Sequence, residues 1–198
     1  KNIHMSTGFT NYTIFSLWDT YRALHPLFNI IQTERNNDMI KSMLAHQDQS
    51  VHGMLPIWSH YANENWCMIG YHATSVIADA ISKDVGDFNK LEALDACIST
   101  SNVSYFDGIE SYKEKGYVPE DVSSSSVSKT LEFSYNDWCI AQISKELNNS
   151  RVTKEYLKRS ENFRNLYDKN LGFMRPKLKN GDWKAPFDPM DTHGQGFI

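Results

Sequence analysis

Cysteine is scarce in this sequence: Cys67, Cys97 and Cys139 are the only three in 198 residues. The count is odd and none of the spacings suits a metal, so the sequence encodes neither a disulfide framework nor a cysteine zinc site, and buried thiols are expected. His46, His52, His60 and His72 never stand three or four residues apart, which excludes a helical zinc pair. Positive charge is not in excess either. Twenty Lys and Arg against 24 Asp and Glu leave a net charge of −4, and a nucleic-acid surface needs a clustered basic face. No apolar run approaches the length of a membrane span, and the first ten residues lack the apolar core of a signal peptide. A Gly-rich phosphate loop, a Ser-His-Asp arrangement and a nucleophile elbow are also missing.

What the sequence does have is apolar and aromatic substance. Apolar residues make up 40% and charged residues 22%, the balance of a chain that buries a core. The length and the lack of any linker-like break predict a single domain over residues 1–198. Five Trp, ten Tyr and ten Phe exceed what a small helical core needs; aromatic rings pack cores and also form platforms for sugars or bases.

The dominant period is helical. Ile14, Leu17, Tyr21 and Leu24 mark one face of a first helix, which Pro26 should kink or end. Asn36-Asn37-Asp38 caps a second helix with Met39, Ile40, Met43 and Leu44. Asn63 is expected to cap a third, with Glu64 in its first turn and Trp66, Ile69, Gly70, Ala73, Val76, Ile77 and Ala80 on its buried face. Asp87 caps a fourth through Leu91, Leu94 and Ile98, and Tyr105 to Tyr112 form a short aromatic helix ended by Gly116 and Pro119. The Ser123–Ser126 run leads into a helix with Leu131, Tyr135, Trp138, Cys139 and Gln142, and Thr153 opens a last one. Trp-Cys-aliphatic recurs at Trp66 and Trp138, which suggests equivalent helices in a repeated architecture, with chance as the rival explanation for so short a unit. Asn180-Gly181, between Phe173 and Trp183, predicts a β-hairpin whose strands Pro176 and Pro186 keep short. The fold expected is all-α, built of helical hairpins, with a small β-hairpin near the C-terminus.

Three clusters could carry chemistry. Trp18, Asp19 and Arg22 combine a ring that can stack on a sugar with a carboxylate that can bind vicinal hydroxyls. The alternative is an Asp19–Arg22 surface pair beside a packed tryptophan. Trp58, Glu64 and Trp66 gather where a loop enters a helix, a place where binding residues concentrate; the alternative is a capping carboxylate with two packing tryptophans. Asp188, Asp191 and His193 could form a metal or acid–base group, or a generic polar loop.

Read as whole segments, these residues resemble one family. Thr13-Ile14-Phe15-Ser16-Leu17-Trp18-Asp19-Thr20-Tyr21-Arg22-Ala23-Leu24-His25-Pro26-Leu27 is similar to a signature of glycoside hydrolase family 92, the calcium-dependent exo-α-mannosidases. The resemblance continues through Leu55-Pro56-Ile57-Trp58, Asn63 to His72, Ser128 to Phe133 with Asp137 to Ala141, and Gly172 to Pro189. Asn136 stands where the family often has an acidic residue, and Asn65 where Thr is common.

The resemblance implies a fragment, roughly the first half of an (α/α)6 toroid that follows an N-terminal β-sandwich domain. It implies an inverting α-mannosidase acting on mannose-containing oligosaccharides, N-glycans or mannans, outside the cytoplasm: secreted, periplasmic or at the cell surface. Calcium is the implied cofactor, with ligands mostly outside this chain. The implied general acid falls just after Ile198 and the general base further on, so the chain alone is expected to be inactive. Carried over residue by residue, substrate binding falls to Trp18 and Asp19, with Trp58, Glu64 and Trp66 at motif positions; Trp66 and Trp138 are also expected to pack in the core. Another (α/α)6 glycosidase, or a non-enzymatic helical module that binds carbohydrate or protein, is the alternative.

Overall fold

A computed structural model describes residues 3–60 and 63–191. Eight helices dominate: α1 Leu17–Thr20, α2 Leu24–Ile31, α3 Thr33–Gln49, α4 Ala73–Ser82, α5 Lys90–Thr100, α6 Ile109–Lys115, α7 Ser126–Glu146 and α8 Ser150–Ser160. The all-α architecture of helical hairpins, part of an (α/α)6 toroid, is therefore the one expected. The long helix α7 is the hub, packed against α8, α4 and α5. Phe133, Cys139, Ile140, Ala141 and Ile143 from α7 join Val76 and Ile77 of α4, Leu94 and Cys97 of α5 and Tyr156 of α8 in one core. Burial pushes the Cys97 and Cys139 thiols up to about 12, so both stay protonated, while Cys67 is exposed and all three are free.

Several boundaries differ from the sequence expectation, each for a local reason. Ile14 is not helical: it sits at φ 61° and is exposed. The amides of Ile14 and Leu17 bond instead to the carbonyls of Ser59 and Ile57, at 3.1 and 3.2 Å, which delays the helix to Leu17. Pro26 does not end a helix but lies in the first turn of α2, where no intrahelical N–H is required. Asn36 is no cap; it is buried inside α3, where Oδ1 contacts His25 Nδ1 at 2.7 Å and Nδ2 donates to Asn29. Asn29 in turn donates to Asp79 of α4, so a polar relay ties α2, α3 and α4. Asn89, not Asp87, caps α5, and Asn149, not Thr153, caps α8.

The largest correction concerns residues 63–72. The helix expected from Asn63 begins ten residues later, at Ala73. Ser59–His60 (β1) and Asn63–Glu64 (β2) form a small antiparallel hairpin instead. An irregular stretch follows with positive φ at Trp66, Met68 and Gly70. A side chain at Gly70 would lie 2.5 Å from His72 Nε2, so glycine is needed for space as well as for its φ of 78°. Trp66 is thus in a loop and Trp138 in the middle of α7, and their shared Trp-Cys motif marks no repeat. Nor are they core residues, being 42% and 46% exposed.

At the C-terminal end, Glu161–Leu166 is a 3-10 helix, and Tyr167–Asp168 (β3) pairs with Phe173–Met174 (β4). Around Asn180-Gly181 the expected hairpin is reduced to one bridge, Lys177 with Trp183; Pro176 and Pro186 lack the N–H groups to extend it.

Buried histidines give this fold an acid limit. Burial holds the imidazoles of His25, His46 and His72 below their ordinary value of 6.5. The unfolded chain then binds more protons than the folded one just below pH 6.5, so stability rises with pH through that window and falls on acidification. Thermal midpoints of the intact protein at about pH 7.5 and about pH 5.5 check this. The lower pH should give a midpoint several degrees lower; an equal or higher one contradicts it.

Candidate functional site

Trp18 is the second residue of the single-turn helix α1, and its ring lines a cleft of about 270 Å³ shared with Trp66, Met68, Ile69, Asp107, Ser125 and Lys129. Four of these seven are non-glycine residues at positive φ: Trp66 at 62°, Met68 at 75°, Asp107 at 51° and Ser125 at 54°. Side chains avoid that region because Cβ crowds the backbone, and strain of this kind collects where a ligand must be gripped. The strain singles out this cleft among the surface depressions.

The cleft has a charged lining. Lys129 is only 6% exposed, and its Nζ lies 2.5 Å from Asp107 and donates to Ser123 Oγ at 2.8 Å. On the side of Trp66 the lining continues into half-buried His52 and exposed Tyr105. His52 meets the Trp66 ring edge-on at 4.7 Å, and Tyr105 stands 6.0 Å from it. Ring faces can cover the C–H surfaces of a sugar and paired charges can meet its hydroxyls, so the groups gathered here are of the kind that can hold a carbohydrate.

Trp18 is tied in at its edge. Its Nε1 donates to Glu132 Oε1 at 3.1 Å. The Arg22 guanidinium lies over the Trp18 and Tyr21 rings, at 5.4 and 4.7 Å, and donates from Nε to the Trp18 carbonyl. Burial raises the Glu132 carboxyl, but His72, Trp18 and Arg22 together more than offset this and hold it below the usual carboxylate value.

Of the residues singled out in the sequence, Trp18 and Trp66 share the cleft. Asp19 is exposed beside Trp18 and accepts from Ser16 Oγ rather than pairing with Arg22, whose cation goes to Glu132. Glu64 and Trp58 are not in the lining. Glu64 is 6% exposed and accepts four backbone amides: Ile57 at 2.7 Å, Trp58 at 3.0 Å, Asn65 at 3.0 Å and Trp66 at 3.3 Å. It therefore clamps the loop that carries Trp66 to the Ile57-Trp58 bend that leads into β1. Asp188 accepts the Met190 amide in a local turn, and His193 lies outside the described residues. Among the described residues no three His, Cys, Asp or Glu side chains are placed to hold a metal, so these residues offer the implied calcium no carboxylate-based ligand set.

Asp107, Ser125, Lys129 and Glu132 were not singled out as site residues from the sequence. Asp107, before α6, and Ser125 and Lys129, at the start of α7, line the cleft, while Glu132 of α7 reaches it only through Trp18; backbone strain at Asp107 and Ser125 has no reliable signature in residue type.

Comparison with known proteins places the chain. The Glycosyl hydrolase family 92 catalytic domain matches residues 1–198. A family GH92 α-mannosidase from Bacteroides thetaiotaomicron, solved in complex with mannoimidazole, is 52% identical with a TM-score of 0.93, over 96% of this chain and 25% of that one. A GH92 inverting mannosidase from the same organism is 34% identical with a TM-score of 0.85, over 90% of this chain and 25% of that one. An uncharacterized secreted glycosidase from Arthroderma benhamiae is 28% identical over 197 residues, 72% of this chain and 25% of the relative. The chain spans about a quarter of the length of these relatives. It belongs to glycoside hydrolase family 92, as part of the catalytic domain.

Proposed function

We propose that the protein containing this chain is an inverting exo-α-mannosidase, and that residues 1–198 form roughly the first half of its helical toroid and one wall of its terminal-mannose pocket. The observation that carries this reading is the place of the family signature: its tryptophan, Trp18, lines the strained, aromatic-rich cleft. One similar structure is a mannosidase solved with mannoimidazole.

In this reading Trp18 and Trp66 present ring surface to the sugar, and Asp19 accepts hydrogen bonds from two of its hydroxyls. Glu64 and Trp58 act behind them, by holding the loop in shape. Inversion needs an acid that protonates the leaving oxygen and a base that activates water on the opposite face of the ring. Those carboxylates are assigned to parts of the protein beyond this chain, as are the N-terminal β-sandwich and most calcium ligands. The ion, when bound, would supply a hard Lewis acid for sugar oxygens. The substrate is a mannose-containing oligosaccharide outside the cytoplasm; a relative is named as secreted, and no described helix is long and apolar enough to cross a membrane.

The test uses the intact enzyme on an aryl α-mannoside, with NMR following the anomer first released. β-Mannose is expected, and failure to release mannose would end the proposal. Asp19→Ala should lower kcat/KM about ten- to a hundredfold, the worth of charge-assisted hydrogen bonds of roughly 1.5–3 kcal/mol. Unchanged kinetics would remove Asp19 from the pocket.

A further inference from the structure

The Trp18 indole is anchored by a residue 114 positions away in sequence. Glu132 Oε1 accepts from Trp18 Nε1 at 3.1 Å and lies 3.5 Å from Arg22 Nη2. Its Oε2 lies 3.0 Å from His72 Nε2. The tautomer of that histidine follows from its other neighbour. Asn136 Oδ1 accepts the Tyr71 amide at 2.8 Å, so it is Asn136 Nδ2 that faces His72 Nδ1 at 3.0 Å. Nδ1 is then the acceptor, and the ring proton sits on Nε2, the nitrogen 3.0 Å from Glu132 Oε2. The His72 ring is itself fixed by stacking on Tyr21, with centroids 3.9 Å apart and planes within 1°.

One carboxylate thus gathers groups from three places: α1, the turn after it and the residue that precedes α4. An indole N–H needs a single acceptor, and a carbonyl or a water would satisfy it. A carboxylate held from its far side makes a stronger and more directional anchor. A ring that grips a sugar must hold its plane to within roughly 0.5 Å and 10–20°. Packing alone leaves χ2 of a half-exposed tryptophan broad. The bond at Nε1 fixes that rotation, while Arg22, tethered to the Trp18 carbonyl, covers the ring.

We propose that Glu132 is a positioning residue that sets the plane of Trp18 in the sugar pocket and acts on substrate only through that ring. This rests on the mannose pocket proposed above. The test measures Ki for mannoimidazole, kcat/KM and thermal midpoint in the intact enzyme. Glu132→Ala and Trp18→Phe should each weaken mannoimidazole binding about tenfold, and the double variant should be within about threefold of either single one, because both remove the same bond. Glu132→Gln should stay within about threefold of the parent, since its amide oxygen still accepts from the indole. A purely structural role ranks the variants differently: Gln is then as harmful as Ala, and the midpoint falls while Ki stays put. Losses that multiply to about a hundredfold in the double variant overturn the proposal, as does unchanged Ki in Glu132→Ala. If the alanine variant does not fold, Glu132→Asp serves, because it keeps the charge but draws the carboxylate back from the indole. It should show the same tenfold loss with its midpoint kept, and unchanged Ki overturns the proposal. Unchanged Ki in both Trp18→Phe and Trp18→Ala is a different result: it removes Trp18 from the pocket, and the role of Glu132 falls with it.

Discussion

Replacing Asp137 with alanine should destabilise the helical domain by about 3–5 kcal/mol, a cost typical of stranding one partner of a buried ion pair. Asp137 is fully buried in the middle of α7. Its carboxylate accepts from Tyr71 Oη at 2.7 Å, Tyr112 Oη at 2.8 Å and Arg159 Nε at 3.0 Å. Burial works against the Arg159 charge, yet Asp137 and the surrounding tyrosines overcome it and hold the guanidinium above its ordinary value. Without Asp137 the cation keeps, among the described residues, the Ser101 carbonyl at 3.3 Å and the Tyr156 and Tyr112 rings. Chemical denaturation of the intact enzyme, followed in the helical signal, should show the midpoint drop. The double change Asp137→Leu with Arg159→Leu should recover much of the loss, because an apolar pair leaves no charge uncompensated. A midpoint unmoved by Asp137→Ala would show that the network contributes nothing.

The same residue shows what periodicity conveys and what it hides. Helix α7 was legible because Leu131, Tyr135, Trp138, Cys139 and Gln142 recur at helical spacing. The pattern does not say which side faces the core. The buried side carries Thr130, Phe133, Ser134, Asp137 and Ser144, whereas Tyr135 and Trp138 are exposed. A polar residue can be buried when its partners arrive from distant segments, and Tyr71, Tyr112 and Arg159 do so here. Glu132 was opaque for the same reason. The binding role proposed for Trp18 and Asp19 comes only through the family signature, since composition and spacing by themselves favour a surface ion pair beside a packed tryptophan.

The misreading at Asn63 and Glu64 has a more specific cause. A carboxylate close after an Asn is the mark of a helix N-terminus because it can accept backbone N–H groups. Glu64 does accept backbone N–H groups, four of them. They come from the bend before β1 and the loop after β2 rather than from a first helical turn. The chemistry behind the cue was right and the geometry was not, because donors at Ile57 and Trp58 precede the acceptor in sequence.

That geometry makes Glu64→Ala the second large effect. A buried N–H left without an acceptor costs about 1–3 kcal/mol; the Ile57 amide is buried and the other three partly so, and losing the acceptor they share outweighs a single sugar contact. The damage should spread along a defined route. Ile57 and Ser59, held by Glu64 and the small hairpin, present the carbonyls that bind Leu17 and Ile14. Leu17 opens the turn that carries Trp18 and Asp19. Trp66, which also lines the cleft, loses its amide partner directly. Both tryptophan walls therefore depend on one carboxylate that does not itself line the cleft. Hydrogen exchange in the intact enzyme should speed up at the amides of Ile57, Trp58, Asn65 and Trp66, and kcat/KM should fall at least about tenfold. A residue that touched the sugar would lose affinity while the loops kept their protection. If Glu64→Ala weakens hydrolysis and leaves exchange at those four amides unchanged, Glu64 is a sugar contact and not the clamp described here.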